Sequence, residues 1–293
     1  MIQNCILCPR KCNTDREKSF GFCGCGSLPL IAHAAPYFGE EPCISGTNGS
    51  GAIFFSGCNL KCIYCQNSEI SRHESGRKVD SSELADIILR LQDEGVHNIN
   101  FVTGTHFTEI IAESLEKAAP KIPVVWNSSA YESTGTLKML EGLVDVWLPD
   151  YKYYDRKLAK NYSFAEDYPE VALSAIKEMY RQAGPYKLNA NGIIESGVII
   201  RHLILPHEYE NTMNVIDSVA DSFPADSILF SLMSQYTPMK DFIEYPELNE
   251  TVSEEQYDTL KHYMMLRGLE GYCQDVNSSG KNMIPNFKDN IIL

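Results

Sequence analysis

Residues 51–67 read Gly-Ala-Ile-Phe-Phe-Ser-Gly-Cys-Asn-Leu-Lys-Cys-Ile-Tyr-Cys-Gln-Asn. The apolar run near the start of this stretch predicts a short buried strand, and Gly57 allows the backbone to turn sharply where that strand ends. Cys58, Cys62 and Cys65 follow in a single loop with the spacing Cys-x3-Cys-x2-Cys. Three thiolates this close together can bind three irons of a [4Fe–4S] cluster, whose full set of protein ligands is four cysteines. Because the loop holds no fourth cysteine, the pattern predicts a cluster with one iron open to a ligand that is not protein.

Zinc and disulfides are the two alternative explanations for this loop. A structural zinc site is closed and four-coordinate and is usually assembled from pairs of ligands, which three cysteines in this spacing do not supply. A disulfide framework requires paired cysteines and an oxidising compartment. Residues 1–10 lack the basic flank and apolar core of a secretory signal, so we expect a cytoplasmic protein whose ten cysteines serve mainly as metal ligands.

The composition is that of a globular protein with an acidic balance. Its 293 residues are 44% hydrophobic and 22% charged, which suits one large α/β domain with an appendage. The net charge is −14 and no block of lysine and arginine occurs, so nucleic acid is not expected as a partner. The longest apolar stretches, such as 197–200 and 203–205, are interrupted by Arg201 and His202 and are too short to span a membrane, so no membrane partner is expected.

A second group of cysteines precedes the loop, with the spacing Cys-x2-Cys-x3-Cys-x10-Cys: Cys5, Cys8, Cys12 and Cys23. The surrounding glycine, proline and charged residues can scarcely bury a core of their own, so a bound metal would stabilise the fold of this segment. Zinc and a second iron–sulfur cluster both remain possible for these four thiols. We expect residues 1–48 to form a metal-binding segment and linker, with the linker over 30–50, and residues 49–293 to form the main domain.

From residue 49 onward, predicted strands alternate with predicted helices. The strands are expected at 52–55, 98–102, 124–126, 144–148, 198–205 and 227–232. The helices are expected at 80–95, 108–118, 133–141, 169–183, 211–221 and 253–267. Six such units with right-handed crossovers predict an α/β fold, a partial (β/α)6 TIM-like barrel with a Cys-rich N-terminal extension. The chemistry of such sheets lies at the carboxyl ends of the strands.

The cysteine loop resembles the cluster motif of the radical S-adenosylmethionine (SAM) superfamily. Members carry this spacing directly after the first barrel strand, with an aromatic residue before the last cysteine, a position that Tyr64 fills. The resemblance implies that the open iron binds the amino and carboxylate groups of SAM. It further implies that an electron from the reduced cluster breaks the sulfur–C5′ bond, and that the 5′-deoxyadenosyl radical abstracts a hydrogen atom. A flavodoxin- or ferredoxin-like electron donor is implied as a partner.

Within the superfamily, the chain resembles the pyruvate formate-lyase activating enzyme-like group. The stretches that carry this resemblance are 5–10, 49–58, 65–67, 148–152 and 231–236. In activases of glycyl radical enzymes, the acid after the fourth strand helps to hold a monovalent cation near SAM and the following lysine contacts SAM; Asp150 and Lys152 occupy these positions. Activases with additional clusters insert their cysteines after the first cluster, whereas Cys5–Cys23 precede the barrel here.

The ends of the predicted strands supply the expected contacts to SAM. The turn after the second strand matches a Gly-Gly-Glu-like turn that receives the SAM amino group, although its acidic residue is absent. On the fifth strand, one of Arg201 and His202 must face the cavity, and His202 is the expected one, near the ribose or adenine. The full expected set is Tyr64, Gly104, Asn127, Ser129, Asp150, Lys152, His202 and Gln235.

Three functions are compatible with this pattern. The first is a radical SAM enzyme that abstracts hydrogen from a protein or peptide, with activation of a glycyl radical enzyme as one form of that activity. The second retains SAM chemistry and acts on a small metabolite or peptide by epimerisation, crosslinking or rearrangement. The third is an iron–sulfur or zinc-binding protein without turnover, for which the polar residues at the strand ends would have no purpose.

Overall fold

The computed structural model describes residues 4–72, 75–273 and 287. The strands are β1 (Leu30–Tyr37), β2 (Ser50–Phe55), β3 (Arg77–Lys78), β4 (Ile99–Val102), β5 (Val124–Ser128), β6 (Val146–Pro149), β7 (Lys187–Leu188), β8 (Ile194–Leu203), β9 (Leu229–Met233) and β10 (Gly271–Cys273). The helices are α1 (Pro42–Ser45), α2 (Ser68–Ser71), α3 (Ser81–Asp93), α4 (Thr108–Ala118), α5 (Thr134–Leu137), α6 (Arg156–Ser163), α7 (Tyr168–Ala183), α8 (Tyr209–Ser222) and α9 (Glu254–Leu266).

One curved sheet organises these elements, in the order β10-β9-β8-β6-β5-β4-β2-β1-β3. Strands β2, β4, β5, β6, β8 and β9 run parallel to one another in this order, which confirms the predicted partial barrel. A seventh parallel strand, β10, extends one edge beside β9, while β1 pairs antiparallel with β2 at the other edge. Among the described residues, no helix is both long and apolar enough to cross a membrane.

Local signals explain where the longer helices begin and end. The side chain of Asp80 accepts hydrogen bonds from the backbone N–H groups of Ser82 and Glu83, and Glu83 accepts one from the N–H of Asp80 at 3.0 Å. This reciprocal capping satisfies N–H groups that have no partner within the helix, so α3 begins where the sequence predicts. Helix α7 carries proline in its first turn and ends at Gly184, as expected.

The segment between β1 and β2 differs most from expectation. Residues 30–50 were expected as a linker, but β1 is a buried strand of the sheet because its run of apolar residues covers the edge of β2. The chain then enters the barrel as α1, where Cys43 and Ile44 pack against inward-facing side chains of the strands. These partners are Val125, Val146, Leu148, Ile199 and Leu229. Helix α1 therefore fills the lower lumen of the barrel, and we refer to residues 39–46 as the plug.

Two helical regions also depart from the sequence pattern. Helix α6 was not predicted, since its composition is polar and only a narrow stripe is buried; Asp155 caps it by accepting from the N–H groups of Lys157 and Leu158. The helix expected at 133–141 is one turn, α5, followed by a 3-10 turn at Lys138–Leu140. The main apolar core lies between the outer face of the sheet and the helices.

Candidate functional site

The loop after β2 carries its three cysteines into one cavity at the carboxyl ends of the strands. Gly57 has a φ of 80°, and a Cβ there would collide with the sulfur of Cys25 and the carbonyl of Cys23. The turn therefore requires glycine at this point. Cys58, Cys62 and Cys65 all line the cavity that the turn leads into.

Each of the three sulfurs accepts a hydrogen bond. The N–H of Leu60 donates to Cys58 Sγ at 3.3 Å, the hydroxyl of Ser163 to Cys62 Sγ at 3.0 Å, and that of Ser71 to Cys65 Sγ at 3.6 Å. Such donors stabilise negative charge on sulfur and tune iron–sulfur clusters. Each of the three thiols thus has a hydrogen-bond donor, and the cavity supplies no fourth cysteine. This arrangement fits a [4Fe–4S] cluster with one open iron.

Burial governs the protonation of these thiols. It raises the pKa of Cys58 to about 12 and also raises that of Cys62, although Lys152 and Ser163 act in the opposite direction on Cys62. Metal ligation must therefore displace protons from them. Among the described residues, no three His, Cys, Asp or Glu side chains are grouped closely enough for a single metal ion. A [4Fe–4S] cluster requires no such grouping, because each cysteine binds a different iron.

Six of the eight residues expected to contact SAM line this same cavity: Tyr64, Asn127, Ser129, Asp150, Lys152 and Gln235. Tyr64 is also linked to the cysteines, because its hydroxyl lies 2.6 Å from that of Tyr153, which lies 2.8 Å from Ser163 Oγ. The cavity thus combines three thiols, two carboxylates, one ammonium, one guanidinium and several neutral polar groups. Apolar side chains complete its wall, namely Phe54, Leu60, Val102, Leu203 and Met233.

Two of the expected contacts lie elsewhere. His202 points to the helical side of β8, where its ring lies 2.7 Å from the carbonyl of Tyr151 and 3.0 Å from Thr212 Oγ1. Burial lowers its pKa to about 4, so the ring is neutral at physiological pH. Gly104 packs on the outer side of the sheet, where a Cβ would meet Ile111 and Trp126 at 2.8–3.0 Å. Neither residue lines the cavity.

Arg201 takes the place that was expected for His202. Its Nε donates to Asp150 Oδ1 at 2.8 Å, its Nη1 to Glu40 Oε2 at 2.9 Å and its Nη2 to Asn127 Oδ1 at 2.6 Å. Lys152 Nζ donates to the other oxygen of Asp150 at 2.7 Å. Four charged side chains therefore form one chain of ion pairs along the cavity, in the order Lys152, Asp150, Arg201 and Glu40.

Glu40 was missed because it lies in the segment interpreted as a linker. Burial raises its pKa to about 7, although Arg201 lowers it. Asp150 behaves differently: burial opposes its charge, but Arg201 and Lys152 outweigh that effect and hold its pKa below the ordinary value. The sequence held one signal for Glu40, an acidic residue followed by the apolar turn of α1, but nothing in it located this turn inside the barrel.

The four N-terminal cysteines lie beside the loop and not in the cavity. Cys5, Cys8 and Cys23 are buried and Cys12 is half-buried. Burial raises the pKa of Cys8 to about 11, and the thiols of Cys23, Cys5 and Cys12 also raise it, so each of the three lies within electrostatic reach of Cys8. The carbonyl of Cys23 accepts from the N–H of Cys58 at 3.3 Å, which joins this segment directly to the loop. None of the ten cysteines forms a disulfide.

Comparison with known proteins gives the site a family. The model of the radical SAM superfamily matches residues 52–219, which include the loop, the cavity strands β2, β4, β5, β6 and β8, and helix α7. An uncharacterised protein of Methanocaldococcus jannaschii is 29% identical over 269 residues, covering 88% of this chain and 73% of that protein. The match therefore extends beyond the motif to nearly the whole chain.

Solved structures share the fold at low sequence identity. Streptococcus suis SuiB bound to the precursor peptide SuiA superposes with a TM-score of 0.52 and 14% identity over 74% of this chain. Methylornithine synthase (PylB) gives a TM-score of 0.50 and 15% identity over 76% of this chain and 66% of that one. The chain spans less than half of SuiB, 46% of its length. These likenesses support the fold.

Proposed function

This chain belongs to the radical SAM superfamily, and on that premise we propose that it cleaves SAM at a [4Fe–4S] cluster held by Cys58, Cys62 and Cys65 and takes a hydrogen atom from a polypeptide. The observation that carries the proposal is the meeting of three hydrogen-bonded thiols and a chain of ion pairs on one cavity. A carrier or structural protein would have no use for the charged groups at the strand ends.

Cys58, Cys62 and Cys65 would hold the cluster, which with SAM bound would supply the electron for reductive cleavage of SAM to methionine and 5′-deoxyadenosine, the hydrogen atom coming from the substrate. The protein's own residues hold and shield these groups. The donors at Leu60, Ser163 and Ser71 stabilise charge on the three sulfurs. Lys152 and Asp150 present one cationic and one anionic group for orienting SAM, while Phe54 and Met233 help to exclude water.

A polypeptide substrate is supported by the positions of Asp150 and Lys152. They occupy the positions at which activases of glycyl radical enzymes hold a cation and SAM, and the structure pairs them at 2.7 Å beside the cysteines. SuiB, whose fold this chain shares, was solved with a precursor peptide. In its most specific form, the proposed activity converts a glycine of a partner enzyme into a glycyl radical.

The test is SAM cleavage by the anaerobically reconstituted protein. With dithionite as reductant, the expected products are 5′-deoxyadenosine and methionine in equal amounts, measured by chromatography. An intact cluster without any 5′-deoxyadenosine would refute the proposal. Incubation with deuterated candidate polypeptides then shows whether the hydrogen comes from them, because deuterium must appear in 5′-deoxyadenosine.

A small polar substrate is the second candidate, and the plug favours it. Helix α1 closes the lower lumen, and the charged side chains of Glu40 and Arg201 lie on the cavity above it. Such a floor suits a small molecule with polar groups. In this case deuterium transfer would occur from a metabolite, and regeneration of SAM would indicate its use as a cofactor.

We also propose that Cys5, Cys8, Cys12 and Cys23 bind a second metal, either zinc or an iron–sulfur cluster. The support is that the thiols of Cys5, Cys12 and Cys23 act electrostatically on Cys8, in a segment whose described residues belong to no helix or strand before β1. A single zinc ion would require these thiols to draw closer together, because no three such side chains among the described residues are grouped for one ion. Iron, zinc and sulfide analysis of the purified protein distinguishes the two metals. Four irons per chain with no zinc, in a fully reconstituted sample, would contradict the proposal.

An acidic electron donor of the flavodoxin or ferredoxin type is supported by cations on the outer side of the loop. Arg72 Nη2 donates to the carbonyl of Cys62 at 2.8 Å, while Lys61 and Arg10 lie over the ring of Phe22. The protein is otherwise acidic, with a net charge of −14. Donor-driven cleavage of SAM should therefore slow with rising ionic strength, whereas dithionite-driven cleavage should change little.

A further inference from the structure

Glu40 is the member of the ion-pair chain that comes from outside the region matched by the family model, which begins at residue 52. It belongs to the plug, and its backbone is fixed there: its N–H donates to Ser45 Oγ at 3.1 Å, and that hydroxyl donates back to its carbonyl at 3.4 Å. Its side chain is only 7% exposed and reaches strands on both sides of β6.

Both oxygens of Glu40 are used. Oε1 accepts from Asn100 Nδ2 at 3.1 Å and from Asn127 Nδ2 at 3.0 Å, while Oε2 accepts from Arg201 Nη1 at 2.9 Å. One carboxylate from the plug thus links β4, β5 and β8 across the mouth of the lumen. A contact of this kind fixes the guanidinium of Arg201 at one end.

The geometry around Arg201 shows what this fixation achieves. Guanidinium and carboxylate prefer a two-pronged pair, in which both oxygens of the acid are taken. Here Arg201 gives Asp150 only its Nε, because Glu40 and Asn127 hold the two terminal nitrogens. The second oxygen of Asp150 therefore stays available to Lys152 at 2.7 Å.

We propose that Glu40 is a positioning residue of the SAM cavity: by holding Arg201 it keeps Asp150 shared with Lys152. Without Glu40, Arg201 turns onto both oxygens of Asp150 and releases Lys152, and the four side chains gain a net positive charge that opposes a cationic ligand such as SAM. The inference rests on the proposed function, since it assumes that Asp150 and Lys152 orient SAM.

The decisive experiment is a double-mutant cycle on SAM binding, measured by equilibrium dialysis with the anaerobically reconstituted protein. In Glu40→Gln, the amide nitrogen must face either Arg201 or the two asparagine donors, so the arrangement breaks. We expect the dissociation constant for SAM to rise about tenfold in Glu40→Gln but to change little in Arg201→Gln, because without Arg201 the pair of Asp150 and Lys152 has no competitor. Because Glu40 acts through Arg201, the double variant should resemble Arg201→Gln alone.

A pH series separates this role from a merely structural one. The groups that face Glu40 are Arg201, Asp150, Glu41 and Tyr37. Since Glu40 is charged above its pKa of about 7, the ratio of the Glu40→Gln to the wild-type dissociation constant should fall from about ten at pH 8 toward one at pH 6. Comparison of the two proteins cancels titration of SAM itself.

Controls keep the inference falsifiable. Glu170→Gln removes a surface contact to Arg156 at 2.8 Å, close to the 2.9 Å between Glu40 and Arg201, and should leave SAM binding unchanged. If Glu40→Gln does not fold, Asn100→Ala can replace it, because Asn100 donates to Glu40 but does not line the cavity. Asn100→Ala should weaken SAM binding about threefold in the wild-type protein and should have no effect when it is added to the Arg201→Gln variant.

The possible results distinguish a failure of this inference from a failure of the proposed function. Equal SAM binding by wild type and Glu40→Gln, multiplicative effects in the cycle, or a flat pH ratio would overturn the inference while leaving the proposed function intact. A reconstituted wild-type protein that binds no SAM overturns the proposed function and this inference together.

Discussion

Two neighbouring regions carry most of the cysteines, and they are built in opposite ways. The loop at Cys58–Cys65 follows a buried strand, faces a cavity and supplies three thiols. The N-terminal segment at Cys5–Cys23 supplies four thiols, follows no strand in the part of the chain that the structure describes, and contributes none of the residues that line the cavity. A closed set of ligands suits a structural or relay site, whereas an open set suits catalysis. Position at a strand end, together with a thiol set one short of closed, therefore distinguishes the candidate catalytic centre.

The largest effect should come from breaking the loop. Cys62→Ala removes one of the three proposed ligands, and among the described residues only Cys58 and Cys65 remain as cysteines on the cavity. We expect the cluster to be lost and 5′-deoxyadenosine formation to fall to the level of a protein-free control. Iron analysis and chromatography measure both. Retention of cleavage by this variant would mean that the centre lies elsewhere.

Substitutions in the N-terminal cysteine segment should affect SAM cleavage much less than Cys62→Ala does. Cys5→Ser combined with Cys8→Ser should remove the metal proposed for the N-terminal segment but leave dithionite-driven SAM cleavage within about tenfold of wild type. Cys273→Ser is the matched control, because that half-buried thiol lies beside Met264, outside both regions. Loss of cleavage as complete as in Cys62→Ala would erase the distinction between the two regions.

Arg10 connects the two regions, and its removal should affect stability before activity. Its guanidinium donates to the carbonyls of Asn59, Ser163 and Phe164 and stacks on Phe22 at 3.9 Å. Arg10→Ala leaves those carbonyls without that donor, so the free energy of unfolding should fall by about 2 kcal/mol in urea denaturation.

Lys18→Ala provides the comparison for Arg10→Ala. Lys18 is 82% exposed and its salt bridge among the described residues is to Asp15, so its removal should leave the unfolding free energy nearly unchanged. Equal effects of the two substitutions would show that the N-terminal segment does not depend on its contact with the loop.

The smallest effect concerns the electronics of the loop. Ser163→Ala removes the 3.0 Å hydrogen bond to Cys62, which favours the more negative, reduced cluster, so the midpoint potential should become more negative. Ser71→Ala removes a 3.6 Å contact and should shift the potential less. Spectroscopic redox titration measures both; a positive shift for Ser163→Ala would contradict the assigned direction.

Local patterns in the sequence were enough to predict the barrel and the thiol loop. The capping residues of α3, the cysteine spacing and the polar strand ends act within a few residues of one another, so periodicity and spacing capture them. The same rule located Asn127, Asp150 and Lys152 on the cavity, because parallel strands bring their carboxyl ends to one edge.

The orientation of β8 and the path of the plug could not be obtained in this way. Strand β8 is buried on both faces, so its hydrophobic pattern does not reveal which of Arg201 and His202 points inward. Arg201 is the inward residue because two carboxylates compensate its charge, and one of them, Glu40, is 161 positions away in the chain. Ion pairs between residues so far apart in the chain form only once the barrel has folded, so no local sequence pattern indicates them.

The plug also sets a limit for anyone who would transplant this catalytic centre into a chimera. A fragment that starts at β2 would keep every thiol of the loop, but would leave Val125, Val146 and Ile199 facing an empty lumen without Cys43 and Ile44. It would also lose the antiparallel neighbour that covers β2. The smallest portable unit therefore begins no later than Leu30, twenty residues before the first parallel strand.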